Sequence, residues 1–491
     1  MNIKLSIKNL YWLLVLAIFL LQIIFTSQTF NQIRYEELAE SVRNVFWLQN
    51  KTIYDGISSN VGWYGTLLVI YNFLGFSLNS AKYFRLVLQL ISLFCLAGFL
   101  SRYLGHRKAL IPLISIGLSP TFLYFNTLQT SYGLDLQYLP ICLYLISSLS
   151  FKKVWFTYIK QVILGIIIMI AWMSYPTFAF YFPALSIFYL WQLKNFPTNF
   201  FNLFKNILIT SLSFTLPLFI VFIYVKDRSL LWYDQTEKSG IFRGAGNLTL
   251  DLLNFSKNLK GVILDLFIGS QSYYYEIKSV DFSLILPALS IFLVLLFSIF
   301  LLFKNRKLKF PLILIWLTLI FSLIFANLTF DPSLRPGIRR NTPLLASLYG
   351  LLTVFWYFVV SSKWESPSLR NLLIIICLII PLHHFLIFPF NLSELTKPSL
   401  YQYSHIFGLM DSPSKTLEAL VKKSTQEELK LSCQDEKGNL AYCRYVEGYA
   451  AISGSCFWSH FKCKNILGYD PKTKDFIPLT IDLWENYYWA H

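Results

Sequence analysis

Three acids fall within five positions of the segment Ile33–Gly62: Glu36, Glu37 and Glu40. A positioned carboxylate can take a proton from a hydroxyl, and like charges nearby raise its proton affinity, which suits a general base. Read as a helix, the segment puts Leu38, Val42, Val45 and Phe46 on one face. Glu36, Glu40 and Arg43 then share the opposite face, with Glu37 to its side. That pattern describes a short amphipathic helix on a membrane surface, apolar side down. Its acids face either a site between membrane and water or water alone, as an ordinary solvated polar face.

Two further places break the pattern expected of membrane segments. Asp135 stands in Gly-Leu-Asp-Leu-Gln, at the start of an apolar run. A carboxylate near hydrocarbon is costly and is a functional candidate by default. Its competing reading is an acid favoured by the helix N-terminus. The second place is Asp331-Pro-Ser-Leu-Arg-Pro-Gly-Ile-Arg-Arg-Asn-Thr-Pro, which carries Arg335, Arg339 and Arg340 ahead of another apolar run. Arginine binds phosphate through a planar fork, so these residues could hold a lipid phosphate, in a donor substrate or in ordinary anionic lipid. Asp55, in Ile-Tyr-Asp-Gly, is a weaker candidate, since that pattern usually makes a turn. His383 and His384 read as interfacial residues. The chain has no Gly-rich nucleotide loop, no metal-spaced His cluster and no nucleophile elbow. A cytosolic nucleotide substrate does not fit that inventory.

The elements that position these residues are membrane helices. The chain has 491 residues, 55% of them hydrophobic and only 14% charged. A soluble protein would carry about 25% charged residues. Apolar runs of bilayer length recur from end to end. The net charge of +16 sits largely in short loops between them, which points to the positive-inside rule and not to nucleic acid. Lys4 and Lys8 precede a first span at 10–27, read as a signal anchor with a cytoplasmic N-terminus. Trp63–Phe76 is apolar but short, an interfacial or re-entrant helix. Further spans are expected at 84–101, 109–125, 133–150, 161–176, 178–192, 207–225, 283–303, 310–328, 342–361 and 371–390. The expected fold is therefore an all-α polytopic membrane domain over 1–390 with about eleven crossings, outer loops at 28–82, 226–281 and 329–341, and a separate extracytoplasmic domain at 391–491. In that tail Cys433, Cys443, Cys456 and Cys463 are separated by nine, twelve and six residues. The spacing lacks C-x2-C pairs and reads as disulfides, which agrees with an oxidising side. Cys95, Cys142 and Cys377 fall in spans and read as packing residues.

Taken together, the chain resembles membrane glycosyltransferases of the GT-C class, of the protein O-mannosyltransferase and lipid A aminoarabinose transferase type. The residues that carry the resemblance are Glu36-Glu37 after the first span, the amphipathic helix to Trp47, the apolar helix Trp63–Leu74, Gly75-Phe76, Arg85 opening the next span, Ser119-Pro120-Thr121 and Asp135. It covers roughly residues 10–200. The family usually has Asp-Glu where this chain has Glu-Glu. The family's Lys-Pro-Pro is replaced here by Asn60-Val61-Gly62-Trp63, so its phosphate-binding lysine has no counterpart, and the arginine loop is the natural substitute. The resemblance implies a polyprenyl-phosphate-linked sugar as donor, used at the outer face of the cell membrane with inversion. The acceptor would be a glycan, lipid or protein hydroxyl. It admits a divalent metal, which some relatives use, without requiring one. A transporter or flippase would instead place charges mid-span and break helices in repeated halves. A scaffold that presents the tail would not need the acids at all.

Overall fold

The structure is a computed structural model and describes residues 6–27, 61–74, 78–119, 122–123, 131, 133–149, 154–194, 200–224, 285–328, 342–379, 382 and short strands between 433 and 478. The apolar runs form helices: α1 (Ile7–Ser27), α2 (Val61–Leu74), α3 (Leu78–Leu104), α4 (His106–Gly117), α5 (Leu134–Ser147), α6 (Val154–Ser174), a 3-10 turn (Pro176–Tyr181), α7 (Phe182–Lys194), α8 (Phe200–Tyr224), α9 (Ile285–Lys304), α10 (Arg306–Leu328), α11 (Thr342–Ser361) and α12 (Pro367–Ile379). Among the described residues, six of these, α1, α3, α6, α8, α10 and α11, are long and apolar enough to cross a membrane. α5, α9 and α12 contribute shorter apolar helices.

The differences from the expected boundaries have physical causes. α6 begins at Val154, ahead of the expected 161, and carries Lys160 in its second turn, where the ammonium donates to the Ser148 carbonyl at 2.7 Å. The expected span 178–192 opens as a 3-10 turn led by Pro176 and becomes α-helical only at Phe182. α4 has 12 residues, about 18 Å of helix, which is shorter than a bilayer core. The short apolar element expected at 63–76 is present as α2. In the tail, β1 (Cys433–Gln434) pairs antiparallel with β2 (Leu440–Ala441), β3 (Cys443–Tyr445) with β4 (Ala451–Ser453), and β5 (Leu467–Asp470) with β6 (Asp475–Pro478). Cys433 and Cys443 begin β1 and β3, whereas Cys456 and Cys463, with any bridge they form, lie outside the described residues. Cys142 and Cys377 are buried and Cys95 is half-buried, all three as free thiols.

Hydrogen bonds fix the helix directions. Midway along α3 and near the start of α5, Gln137 Nε2 donates to Gln89 Oε1 at 3.0 Å, and at the ends of both helices Arg102 donates to the Ser147 carbonyl. They therefore run side by side in the same direction. α11 joins them: Thr342 at its start meets Asp135, and Ser361 at its end accepts from Lys108 Nζ at 2.8 Å. α6 runs the opposite way, from Lys160 beside Ser148 to Ser174 beside Tyr138. α9 and α10 meet in a turn at Asn305, whose side chain accepts from the amides of Lys307 and Leu308 at 3.1 and 3.2 Å. The bundle thus has two ends. One collects Arg102, His106, Lys108, Lys160 and Ser361; the other collects Asp135, Ser174 and Thr342.

Buried apolar side chains form separate clusters. One binds α2, α3, α5, α6 and α7 through Trp63, Leu67, Tyr138, Ile146 and Phe188. Another binds α9 to α12 through Leu301, Leu312, Leu351 and Phe355. A third holds α1 and α4 on α3 through Tyr11, Ile18, Leu93 and Leu113. Large apolar residues such as Leu20, Phe219 and Phe303 stay exposed, which is stable only against lipid. Lipid tails are as apolar as leucine, so helix association rests on close packing and on polar contacts. Gly165 shows this: a Cβ there would lie 2.5 Å from the Thr210 carbonyl oxygen and 2.7 Å from Ser213 Cβ, where α6 and α8 touch. Backbone cannot retreat as a side chain can. Gly165→Ala should cost about 1–3 kcal/mol through overpacking. Thermal unfolding of purified protein in detergent measures it; a midpoint equal to the parent's would mean that α6 and α8 are not in contact there.

Candidate functional site

The site is built from the start of α5. Gly133 takes a left-handed conformation (φ 71°), which a glycine adopts without strain, and turns the chain into the helix. Asp135 follows in the first turn, where the helix dipole favours a negative charge. Its side chain is fully buried. Oδ2 accepts a hydrogen bond from Thr342 Oγ1 at 2.6 Å and another from Tyr181 OH at 3.2 Å. The Thr177 hydroxyl lies beside the same carboxylate. Oδ1 accepts no bond of good geometry from the described residues. One carboxylate therefore joins α5, the end of the 3-10 turn and the first residue of α11.

A second set of polar residues lines α3. Lys82, Arg85, Gln89 and Ser92 recur every three or four positions, so they share one face, and all are buried. That face meets α5 at the Gln89–Gln137 bond. The charge of Arg85 reaches the Tyr138 phenol, which is hydrogen-bonded by Ser174 at the end of α6. Two cations and a carboxylate buried at one end of a membrane bundle are expensive and mark function by default. α2 covers this end. Its Trp63 is fully buried, with its ring centroid 5.7 Å from that of Phe84. A Cβ on Gly62 would lie 2.8 Å from the Ile170 carbonyl oxygen, so α2 sits directly on the last turns of α6. Among the described residues no group of His, Cys, Asp or Glu side chains could hold a metal ion.

Of the residues singled out in the sequence, Asp135 is inside this cluster. Glu36, Glu37 and Asp55 lie outside the described residues, in the segment between α1 and α2, and Arg335, Arg339 and Arg340 lie outside them between α10 and α11. The described helices show where those segments start and finish. α1 starts beside His106, through a Tyr11–His106 ring contact at 5.3 Å, and its far part is tied by Gln22 to the Gly117 carbonyl at 2.8 Å. It therefore finishes at the Asp135 end. α10 starts beside Trp191, with Phe310 stacked at 4.7 Å, and also finishes there. The arginine segment then leads directly into Thr342. Lys82, Thr177, Tyr181 and Thr342 belong to the site but do not stand out in the sequence. For Lys82 the signal was available: a cation three residues before Arg85 and seven before Gln89, on one face of a span.

The fold is similar to that of ArnT from Cupriavidus metallidurans bound to undecaprenyl phosphate, a lipid A aminoarabinose transferase, at 10% identity, with 86% of this chain and 82% of that one covered and a TM-score of 0.50. The expected resemblance to the GT-C class is met at the level of the fold. Two further likenesses are weaker. The Archaeoglobus fulgidus oligosaccharyltransferase tethered with an acceptor peptide gives 11% identity and a TM-score of 0.43, covering 84% of this chain and 59% of that one. Its apo form gives 12% identity and a TM-score of 0.44, covering 84% and 60%. No family model and no curated protein matches the sequence.

The Asp135 junction can be tested by itself. Asp135→Leu removes the acceptor and leaves the Tyr181 and Thr342 hydroxyls without it, at about 1–3 kcal/mol for each stranded donor. Asp135→Asn keeps one acceptor oxygen and should lose less. In a double-mutant cycle Asp135→Leu and Thr342→Val should couple by about 0.5–3 kcal/mol. Thermal unfolding of the four proteins measures the coupling, and strict additivity would mean that α5 and α11 are not joined here.

Proposed function

We propose that the protein is an integral membrane glycosyltransferase that moves a sugar from a polyprenyl-phosphate carrier to an acceptor hydroxyl on the extracytoplasmic side. One observation carries the reading. α1 and α10 finish, and α2 and α11 start, at the end of the bundle where Asp135, Lys82 and Arg85 are buried. A carboxylate base in the segment after α1 and a phosphate clamp in the segment before α11 would then be joined to helix ends on one side of a membrane fold similar to that of ArnT, which was crystallised with undecaprenyl phosphate.

The roles follow from the chemistry. Glu36, or Glu37 beside it, takes the proton of the acceptor hydroxyl. The oxygen forms a bond to the anomeric carbon as the bond from that carbon to the phosphate oxygen breaks. Lipid phosphate leaves with the electron pair, and the configuration inverts. Arg335, Arg339 and Arg340 hold the developing phosphate charge by bidentate contacts. Lys82 and Arg85 add fixed positive charge inside the bundle, where low polarity strengthens it. Asp55 and Asp135 complete the substrate-binding surface. The acceptor is a glycan, lipid or protein. The basic end faces the cytoplasm, as the positive-inside rule requires. The N-terminus then lies inside, about eleven crossings follow, and the domain 391–491, with disulfides among Cys433, Cys443, Cys456 and Cys463, lies on the same side as the site.

Purified protein incubated with a panel of polyprenyl-phosphate sugars tests the activity, with release of lipid phosphate as readout. Glu36→Gln keeps the side-chain shape and should lower the transfer rate by about a hundred-fold to ten-thousand-fold with donor binding intact. Full rates in both Glu36→Gln and Glu37→Gln would rule the mechanism out. Arg339→Ala or Arg340→Ala should weaken donor binding by about ten-fold to a hundred-fold, with lysine restoring it only in part. Unchanged donor binding in both alanine variants would reduce that segment to a membrane anchor.

A further inference from the structure

The basic end of the bundle has a cavity that the transfer chemistry does not use. It holds about 460 Å³ between α1, α3 and α5, within the size range of small-molecule sites. Trp12 and Phe94 form one wall, stacked at 5.8 Å with an 18° angle between their planes. Tyr144 forms the floor. Its ring lies so close to α3 that a Cβ on Gly98 would meet Cε2 at 2.6 Å. Cys95 and Ser101 complete the α3 side.

Charge gathers at the mouth. Arg102 lines the cavity, with its guanidinium 6.0 Å from the Tyr144 ring centroid and one N–H on the Ser147 carbonyl. His106 lines it too, its ring held edge-on to Tyr11 at 5.3 Å. The stretch 102–108 holds Arg102, His106, Arg107 and Lys108 and no acid. Lys160 sits on the next carbonyl, Ser148, at 2.7 Å. Phe94 is itself exposed, and one turn along from the walls Ile91 on α3 and Leu16 on α1 are exposed as well, so apolar surface suited to lipid tails adjoins the cavity. Arg102 is 17 positions along α3 from Arg85, about 26 Å of helix, which separates this cavity from the Asp135 site by nearly a bilayer core.

We propose that this cavity binds one anionic glycerophospholipid of the leaflet at the basic end, headgroup phosphate on Arg102 and His106, one acyl chain between Trp12, Phe94 and Tyr144. Basic pockets between membrane helices on the cytoplasmic side take anionic headgroups in this manner. The aromatic lining suits an acyl chain, and the Arg102 guanidinium at its rim selects for charge. The inference rests on the membrane reading of the fold and not on the transfer reaction.

Native mass spectrometry of protein released from nanodiscs tests it, using phosphatidylglycerol, phosphatidylcholine and undecaprenyl phosphate as separate probes. The parent should retain one phosphatidylglycerol and neither of the others to the same degree. Arg102→Gln should weaken retention by about five-fold, and His106→Gln should weaken it measurably. Cys95→Trp should remove it by filling the cavity. His106→Gln leaves the Ser147 contact intact, so it reports on lipid even if Arg102→Gln fails to fold. Equal retention of phosphatidylglycerol and phosphatidylcholine by the parent would overturn the proposal, as would full retention of phosphatidylglycerol by His106→Gln and Cys95→Trp. Preferential retention of undecaprenyl phosphate, lost in Cys95→Trp, would overturn it in favour of a carrier-lipid site.

Discussion

A carboxylate oxygen buried in a membrane bundle must be hydrogen-bonded or its desolvation is uncompensated. Asp135 Oδ2 meets that demand with hydroxyls from two distant parts of the chain, Tyr181 and Thr342, the second 207 positions away. Much of the site depends on this contact. It fixes the start of α11, the helix that follows the arginine segment in sequence, against the start of α5. It also ties in the 3-10 turn, which packs against α6, α10 and α11. Hydrophobic burial cannot specify such a junction, because lipid competes equally for apolar side chains.

Polar contacts do comparable work elsewhere. Gln161 on α6 donates to Tyr189 OH at 3.1 Å and to Asn206 Oδ1 at 2.9 Å, and Tyr189 meets Thr210 at 2.8 Å. That network pins α6, α7 and α8 together below the Asp135 level. Trp356 Nε1 donates to the Lys108 carbonyl at 2.8 Å, which sets α11 against α4 at the basic end. α8 shows the complement. Most of its surface is uncovered by the rest of the described chain, and it is held by the Gly165 crossing and this network. The bundle is specified by a few directional contacts inserted into interchangeable apolar surface.

This division explains what could be read from the sequence. Spans are legible because an apolar run of bilayer length is a local property; α1, α10 and α11 lie where the pattern puts them. Their basic ends are legible for the same reason. The short α4 and the 3-10 opening before α7 are not, since they depend on Pro176 and on neighbours far along the chain. Asp135 could be singled out because a lone acid in an apolar context is unusual. Its partners could not, because Thr342 and Tyr181 are unremarkable until the fold sets them beside it. Lys82 lies between these cases: its spacing to Arg85 and Gln89 was visible, but a lysine at the edge of a span is ordinarily an interfacial anchor.

The buried stripe on α3 sets positive charge inside the Asp135 end of the bundle. A lysine near a helix end can snorkel to water at little cost. Lys82 is only 1% exposed and Arg85 fully buried, so neither takes that route. Holding both inside the bundle costs several kcal/mol unless anionic or strongly accepting groups surround them. Residues chosen for stability alone would be apolar at these positions, since well-packed apolar replacements of buried charges are often neutral or stabilising. Gln89, Gln137, Tyr138 and Ser174 give this end polar surroundings, and the phosphate-binding role proposed above would use the charge held there. That logic distinguishes the two ends. At the basic end the cations sit on helix C-terminal carbonyls and at the rim of a cavity that adjoins exposed apolar surface, whereas at the Asp135 end they are enclosed.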